Sequence, residues 1–154
     1  MVSLVLALVA IGIGLSSWMR PMQTGEPSAT PPAPIYSDRQ ITDAKALVCA
    51  AYEKVHHALV LSSGRNGDSD PTAILAVATS GRQVLDAGSR YLLMKLSKEP
   101  ATPADLATAI RRLADSYQEL TIDYLDGLTN SDAELGPSLQ ASDEATSTIE
   151  RLCK

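Results

Sequence analysis

Two kinds of apolar pattern divide the chain. From Val2 to Met19 no side chain is charged, and apolar residues fall on every side of a would-be helix. From Ile41 onward, apolar residues return every third or fourth position, the period of helices that bury one face. The first pattern predicts a membrane-spanning helix, because eighteen helical residues at about 1.5 Å each reach roughly 27 Å, close to the hydrocarbon thickness of a bilayer. The second predicts a packed helical domain.

Four amphipathic runs follow one another in that domain. Ser37 with Gln40 is a capping-box pattern that opens a first helix over about residues 38 to 61, with the stripe Ile41, Ala44, Val48, Ala51 or Tyr52, Val55 and Leu59. Turn formers from Ser63 to Asp68 end it. Asp70-Pro71, an acidic cap before a proline, starts a second helix whose stripe is Ile74, Ala78, Gly81, Leu85, Gly88, Leu92 and Leu96. Gly81 and Gly88 each cost about 1 kcal/mol of helix propensity relative to alanine, a loss that close approach of another backbone offsets.

Pro100 closes that helix, and Thr102-Pro103 with Asp105 repeats the cap-plus-proline start for a third. Its stripe of Leu106, Ile110, Leu113, Tyr117, Leu120 and Tyr124 is the most regular in the chain. Ser131 to Glu134 predicts another capping box before a fourth run of Leu135, Leu139, Ser142, Thr146, Ile149 and Cys153. Gly136-Pro137 inside this run implies a kinked helix or one that begins at Pro137. Short connections between helices of similar length favour an all-α, antiparallel up-down-up-down four-helix bundle.

The organisation expected is a transmembrane signal-anchor at 1–20, a Pro/Thr/Ser-rich stalk at 21–36 and the bundle at 37–154. Five prolines between Pro21 and Pro34 favour extended polyproline geometry. At about 3.1 Å per residue they hold a domain up to roughly 45 Å from the bilayer. Thr24, Ser28 and Thr30 beside those prolines match the pattern of O-glycosylated stalks as well as that of a bare linker. No Lys or Arg precedes the apolar run and no Ala-x-Ala follows it, so a retained anchor fits better than a cleaved signal peptide. Ala10 and Gly14 form a small-x-x-x-small pair, and Trp18 stands where an interfacial aromatic belongs.

Charge narrows the partners. The chain holds 13 Lys and Arg against 18 Asp and Glu, a net charge of −5. Arg20 and Glu26 are the only charged residues before Ile35, which leaves the domain with 12 against 17. An acidic domain without a basic block excludes nucleic acid and is repelled by anionic lipid. With no Phe and one Trp, the core must be built from Leu, Ile, Val, Ala and Tyr, which suits close helix packing.

Cys49 and Cys153 fall at the same end of an up-down-up-down bundle, provided the first turns of the first helix overhang. A disulfide between them closes a loop of about 105 residues, worth roughly 4.7 kcal/mol in the chain-entropy picture. Arg20 alone would place the domain in the cytoplasm, with free thiols; the stalk and the even cysteine count place it outside.

Reactive chemistry concentrates in one place. Cys49, Glu53, His56 and His57 lie on one side of the first helix, and Glu53 with His56 makes the Glu-x-x-His step of carboxylate-bridged di-metal bundles. These are the chain's two histidines and no second such step exists, so the ligand set is incomplete and neither metal nor cofactor is expected. Asn66 to Asp70 has the start of calcium-loop spacing, but Pro71 and Val77 occupy the positions that need glycine and glutamate. No nucleophile elbow or phosphate-cradling loop occurs.

The anchor ending WMRP, the stalk TGEPSATPPAP, the alanine-rich helical domain with few lysines, and a cysteine near each of its ends together resemble small single-pass, membrane-anchored extracytoplasmic proteins of actinobacteria, of mycobacterial type. The resemblance implies location and tether rather than an activity. The function expected is a membrane-tethered extracytoplasmic module that binds a protein or cell-envelope component, through a face bearing Gly81 and Gly88 or the surface around Glu53 and His57, without catalysis. The alternative is a metal-binding or enzymatic domain using Cys49, Glu53, His56 and His57.

Overall fold

Local capping chemistry sets where each helix begins and ends. The computed structural model describes residues 34–64 and 70–154, and Ile35–Lys154 makes one compact unit. The expected anchor, most of the stalk and the turn at residues 65–69 lie outside the described residues. Among the described residues no helix is long and apolar enough to cross a membrane.

Helix α1 (Asp38–Ser63) opens on the predicted capping box. The Ser37 hydroxyl accepts the Gln40 amide at 3.4 Å, and the Gln40 side chain accepts the Ser37 amide at 2.9 Å. Helix α2 (Pro71–Lys98) starts at Asp70, whose carboxylate accepts the Thr72 amide at 3.0 Å, with Pro71 placed where a helix loses no donor. Lys95 and Lys98 lie in its last turn, where the helix dipole favours cations.

Helix α3 (Ala104–Leu125) begins one residue later than the cap-plus-proline pattern implies. Pro103 is itself the cap, in extended backbone, and no side chain caps the helix. The Thr102 hydroxyl instead donates back to the Glu99 carbonyl at 2.6 Å, so it is unavailable to the first turn. Asp105 remains there to interact with the dipole. At the far end Gly127 has φ +98°, a left-handed conformation that glycine adopts without strain, and the Leu128 amide reaches the Asp123 carbonyl at 3.1 Å.

The capping box expected from Ser131 to Glu134 does not form. Asp132 turns its carboxylate back on the preceding turn, accepting the Thr129 amide at 2.7 Å and the Thr129 hydroxyl at 2.8 Å. Those two hydrogen bonds hold the Asp132 carboxyl below the usual carboxylate range. A short 3-10 turn, Ala133–Leu135, follows, and α4 (Gly136–Cys153) begins with Pro137 in its first turn. Gly136-Pro137 therefore marks a start rather than a kink.

The four helices pack as a helical bundle, with no strand among the described residues. α1 lies against α2, α2 against α3 and α3 against α4, whereas α1 meets α4 over a much shorter stretch. The stripe of α3 is buried from Leu106 to Leu120, with Tyr124 at the core's edge. Ala44, Val48, Ala51, Tyr52 and Val55 of α1 join it, as do Leu135, Ala145 and Ile149.

α2 departs from the expected pattern. Leu85, Gly88, Leu92 and Leu96 are buried, but Ile74 and Ala78 are exposed. The reason is length. α2 has 28 residues and α3 has 22, and the short turn between Lys98 and Ala104 keeps them flush at that end. The first turns of α2 thus run about 9 Å past the end of its neighbour.

The two glycines diverge for the same reason. A Cβ on Gly88 would lie 2.6 Å from Val55 Cγ1, so α1 and α2 approach each other through the missing side chain. A Cβ on Gly81 would meet nothing within 4 Å.

Cys49 and Cys153 form a disulfide with Cα atoms 5.7 Å apart and a sequence separation of 104. The overhang this requires is present, since Asp38 to Asp43 are all exposed. The bond joins α1 to α4, which pack far less than consecutive helices do.

Gly88→Ala is expected to destabilise the fold by about 1–3 kcal/mol, because Val55 branches at Cβ and has little room to yield. Gly81→Ala is expected to stabilise it by about 0.5–1 kcal/mol through helix propensity alone. Denaturant unfolding of the two variants checks the contrast. Breaking the disulfide by Cys153→Ser is expected to remove about 3–5 kcal/mol in the same assay.

Candidate functional site

From about four turns beyond its start, α1 presents Tyr52, Glu53, His56 and His57 toward the end of α4. The heptad position of Tyr52 sends its ring inward, where it is buried, while Glu53 and His57 project outward and His56 is half-buried. The disulfide brings Glu150, Cys153 and Lys154 of α4 beside them. Between these two groups, and with Val60, lies an open cleft of about 400 Å³.

Tyr52 organises the floor. Its hydroxyl donates to Glu150 Oε1 at 3.4 Å, and its ring stacks on His56 with centroids 5.6 Å apart. Burial first, then the neighbouring Glu150 and Tyr117, push the Tyr52 hydroxyl up to about 12. Tyr117 of α3, beneath it, is likewise pushed up to about 12 by burial and by Asp143. Both phenols are therefore held as neutral donors rather than as bases. The cleft offers two carboxylates, two imidazoles, one amine and an aromatic floor. That set suits hydrogen bonding and charge recognition.

The residues singled out in the sequence separate into three groups. Glu53, His56 and His57 come together in the cleft. Cys49 does not join them as a ligand, since its sulfur is bonded to Cys153. Among the described residues no group of three or more His, Cys, Asp or Glu converges to hold a metal ion. Gly88 is buried against Val55 and serves the contact between α1 and α2, so it contributes no surface. Gly81 stands in open space on the protruding part of α2.

Tyr52 as the floor, and Glu150 with Lys154 as the opposite wall, were not apparent from composition or motif. Ninety-eight residues separate Tyr52 from Glu150, and no local pattern links them. The cysteines carried the available signal. The bond at Cys49 and Cys153 joins α1 to α4, and one helical turn from each cysteine stand Tyr52 and Glu150.

A second concavity, about 690 Å³, lies between α3 and α4 and alternates Asp105, Arg112, Asp115, Glu144 and Arg151. Its charges of both signs describe a solvated helix seam. Elsewhere, Lys54 of α1 and Lys95 of α2 each stand 5.6 Å from the centre of the Tyr91 ring, a cation–π clamp between those helices. No family model, no curated protein and no solved structure matches this chain.

The raised Tyr52 and Tyr117 predict an alkaline transition. Below pH 10 they are protonated in folded and unfolded chains alike and add no pH dependence. Between 10 and about 12 the unfolded chain releases protons that the folded chain keeps, so stability falls as pH rises through that window. An absorbance titration of the phenols is expected to show a late phase that Tyr52→Phe reduces. A single phase near the ordinary tyrosine value, with stability unchanged to pH 12, would contradict the burial argument.

Proposed function

We propose that the chain is a single-pass, membrane-tethered helical module whose bundle faces the extracytoplasmic side and binds a protein or cell-envelope component. The observation that carries this reading is the Cys49–Cys153 disulfide, because such bonds persist in oxidising compartments and are rare in reducing ones. The uncharged run from Val2 to Met19 supports an anchor at the cell membrane, and the proline-rich stretch from Pro21 to Pro34 supports a spacer. The likeness to membrane-anchored actinobacterial proteins points the same way.

The binding surface is the cleft between α1 and α4. Glu53 and Glu150 on opposite walls favour a cationic group, with the Tyr52 and His56 rings beside it and His57 at the rim. Neither nucleic acid nor anionic lipid suits a domain of this charge. We read the helices as an up-down-up-down bundle, supported by the short turn between α2 and α3 and by the contact of Val55 with Gly88. The disulfide takes the Cys49 thiolate out of the cluster on which the metal-binding or enzymatic alternative draws, leaving Glu53, His56 and His57.

Membrane-impermeant maleimide, applied to intact cells with and without prior reduction, tests orientation. The expected result is labelling of Cys49 and Cys153 only after reduction. Thiols that stay unlabelled in intact cells even after reduction, yet react on lysis with no reductant added, would place the domain in the cytoplasm and overturn the reading.

A further inference from the structure

The two sulfurs of the Cys49–Cys153 bond stand in different surroundings. Cys49 is 8% exposed and belongs to the core, whereas Cys153 is half-buried and lines the open cleft beside Glu53, His56 and His57. One side of the bond therefore faces solvent. The helix that carries Cys153 is also unevenly anchored. Ala145 and Ile149 seat α4 in the core, and Ile149 is wholly buried. Past Ile149, Glu150 and Arg151 are exposed and Leu152 is half-buried at the core's edge. Helix ends fray unless they are tied down, and this last turn is tied to α1 by the disulfide and by the long Tyr52–Glu150 hydrogen bond of 3.4 Å.

We propose that the bond is a redox-operated clasp on the cleft: a dithiol reductant attacks the Cys153 sulfur from the cleft side, and the last turn of α4 swings free beyond Ile149. The released turn takes with it Glu150, Cys153 and Lys154, the whole α4 wall of the cleft. The proposal rests on the reading of that cleft as the binding surface and adds its regulation, binding-competent when oxidised and dismantled when reduced. In the first step a thiolate of the dithiol forms a bond to Cys153 Sγ, the Cys49–Cys153 bond breaks, and Cys49 leaves as a thiolate that takes up a proton. The second thiol of the reductant then attacks the mixed disulfide, releases Cys153 as a thiol and closes the reductant's own disulfide. Two electrons and two protons pass from the dithiol to the two cysteines.

The remainder of the bundle does not hang on the clasp. α3 packs against both α2 and α4, and α1 is held to α2, with Val55 set against Gly88. Only the contact between α1 and α4 is short enough for one covalent bond to dominate it. Tyr52 reports the change. Its hydroxyl is raised by burial and by Glu150, so loss of the α4 wall brings it back toward the ordinary tyrosine range.

The test uses the full chain in detergent micelles, before and after dithiothreitol without denaturant, followed by backbone NMR. Oxidised chain is expected to show helical chemical shifts and rigid amides through Cys153. On reduction, residues 150–154 are expected to lose both, while Ile149, α3 and the α1–α2 contact keep theirs and the Tyr52 phenol titrates earlier. Brief exposure to glutathione, quenched in acid and mapped by peptide mass, is expected to place the mixed disulfide on Cys153 over Cys49 by about 10-fold or more, since access selects the sulfur attacked. A bond that yields to dithiothreitol only in denaturant overturns the proposal. So does a reduced chain that stays helical and rigid through residue 153, one that loses its α3 signals as well, or an adduct found chiefly on Cys49. None of these readouts requires a ligand or a membrane orientation, so they stand or fall separately from the maleimide test of compartment.

Discussion

The covalent bond between Cys49 and Cys153 supplies what α1 and α4 lack in packing. Consecutive helices in this bundle bury each other along their lengths, but the first and last meet over a short stretch. Without a link, α1 would be held mainly by α2. The disulfide fixes which residues of α1 stand opposite which residues of α4, and Tyr52 and Glu150 fall into register one turn inward. The cleft is a product of this arrangement: the two helices are joined at a point and left unsealed beyond it. Structural fastening and the opening of the cleft are in that sense one feature.

α3 plays the complementary role. Its buried stripe packs on both α2 and α4, and Leu106, Ile110, Leu113 and Tyr117 are almost wholly enclosed. A core without phenylalanine obtains its bulk from leucine, isoleucine and tyrosine, with alanine letting the helix axes approach. Polar groups drawn into it are satisfied locally. Ser89 donates to the Asp86 carbonyl and Thr121 to the Tyr117 carbonyl, and no buried side-chain polar atom among the described residues lacks a partner.

α2 shows how one helix serves two ends of a molecule. Its second half is conventional core, with Gly88 admitting Val55. Its first half has the same small, apolar composition, yet Ile74, Leu75 and Ala78 stay exposed. The boundary between the halves is set by helix length rather than by any change in sequence character.

Much of this was legible from the sequence, and physics explains which parts. The capping box at Ser37, the Asp70-Pro71 start and the unbroken stripe of α3 are local signals, acting within four residues of backbone, so they predicted element type and position. The cysteine pairing followed from helix order and an even count. Where local signals competed, the sequence misled. The Thr102 hydroxyl found a carbonyl behind it, and the Asp132 carboxylate found Thr129 before the next helix could be capped. Gly81 and Gly88 share a stripe and a spacing, yet only tertiary structure decided that one admits a neighbouring side chain and the other stands in the open. The cleft likewise depended on the fold, since its opposite walls lie nearly one hundred residues apart. Periodicity determines which face of a helix seeks burial; the lengths and crossings of its neighbours determine how much of that face finds it.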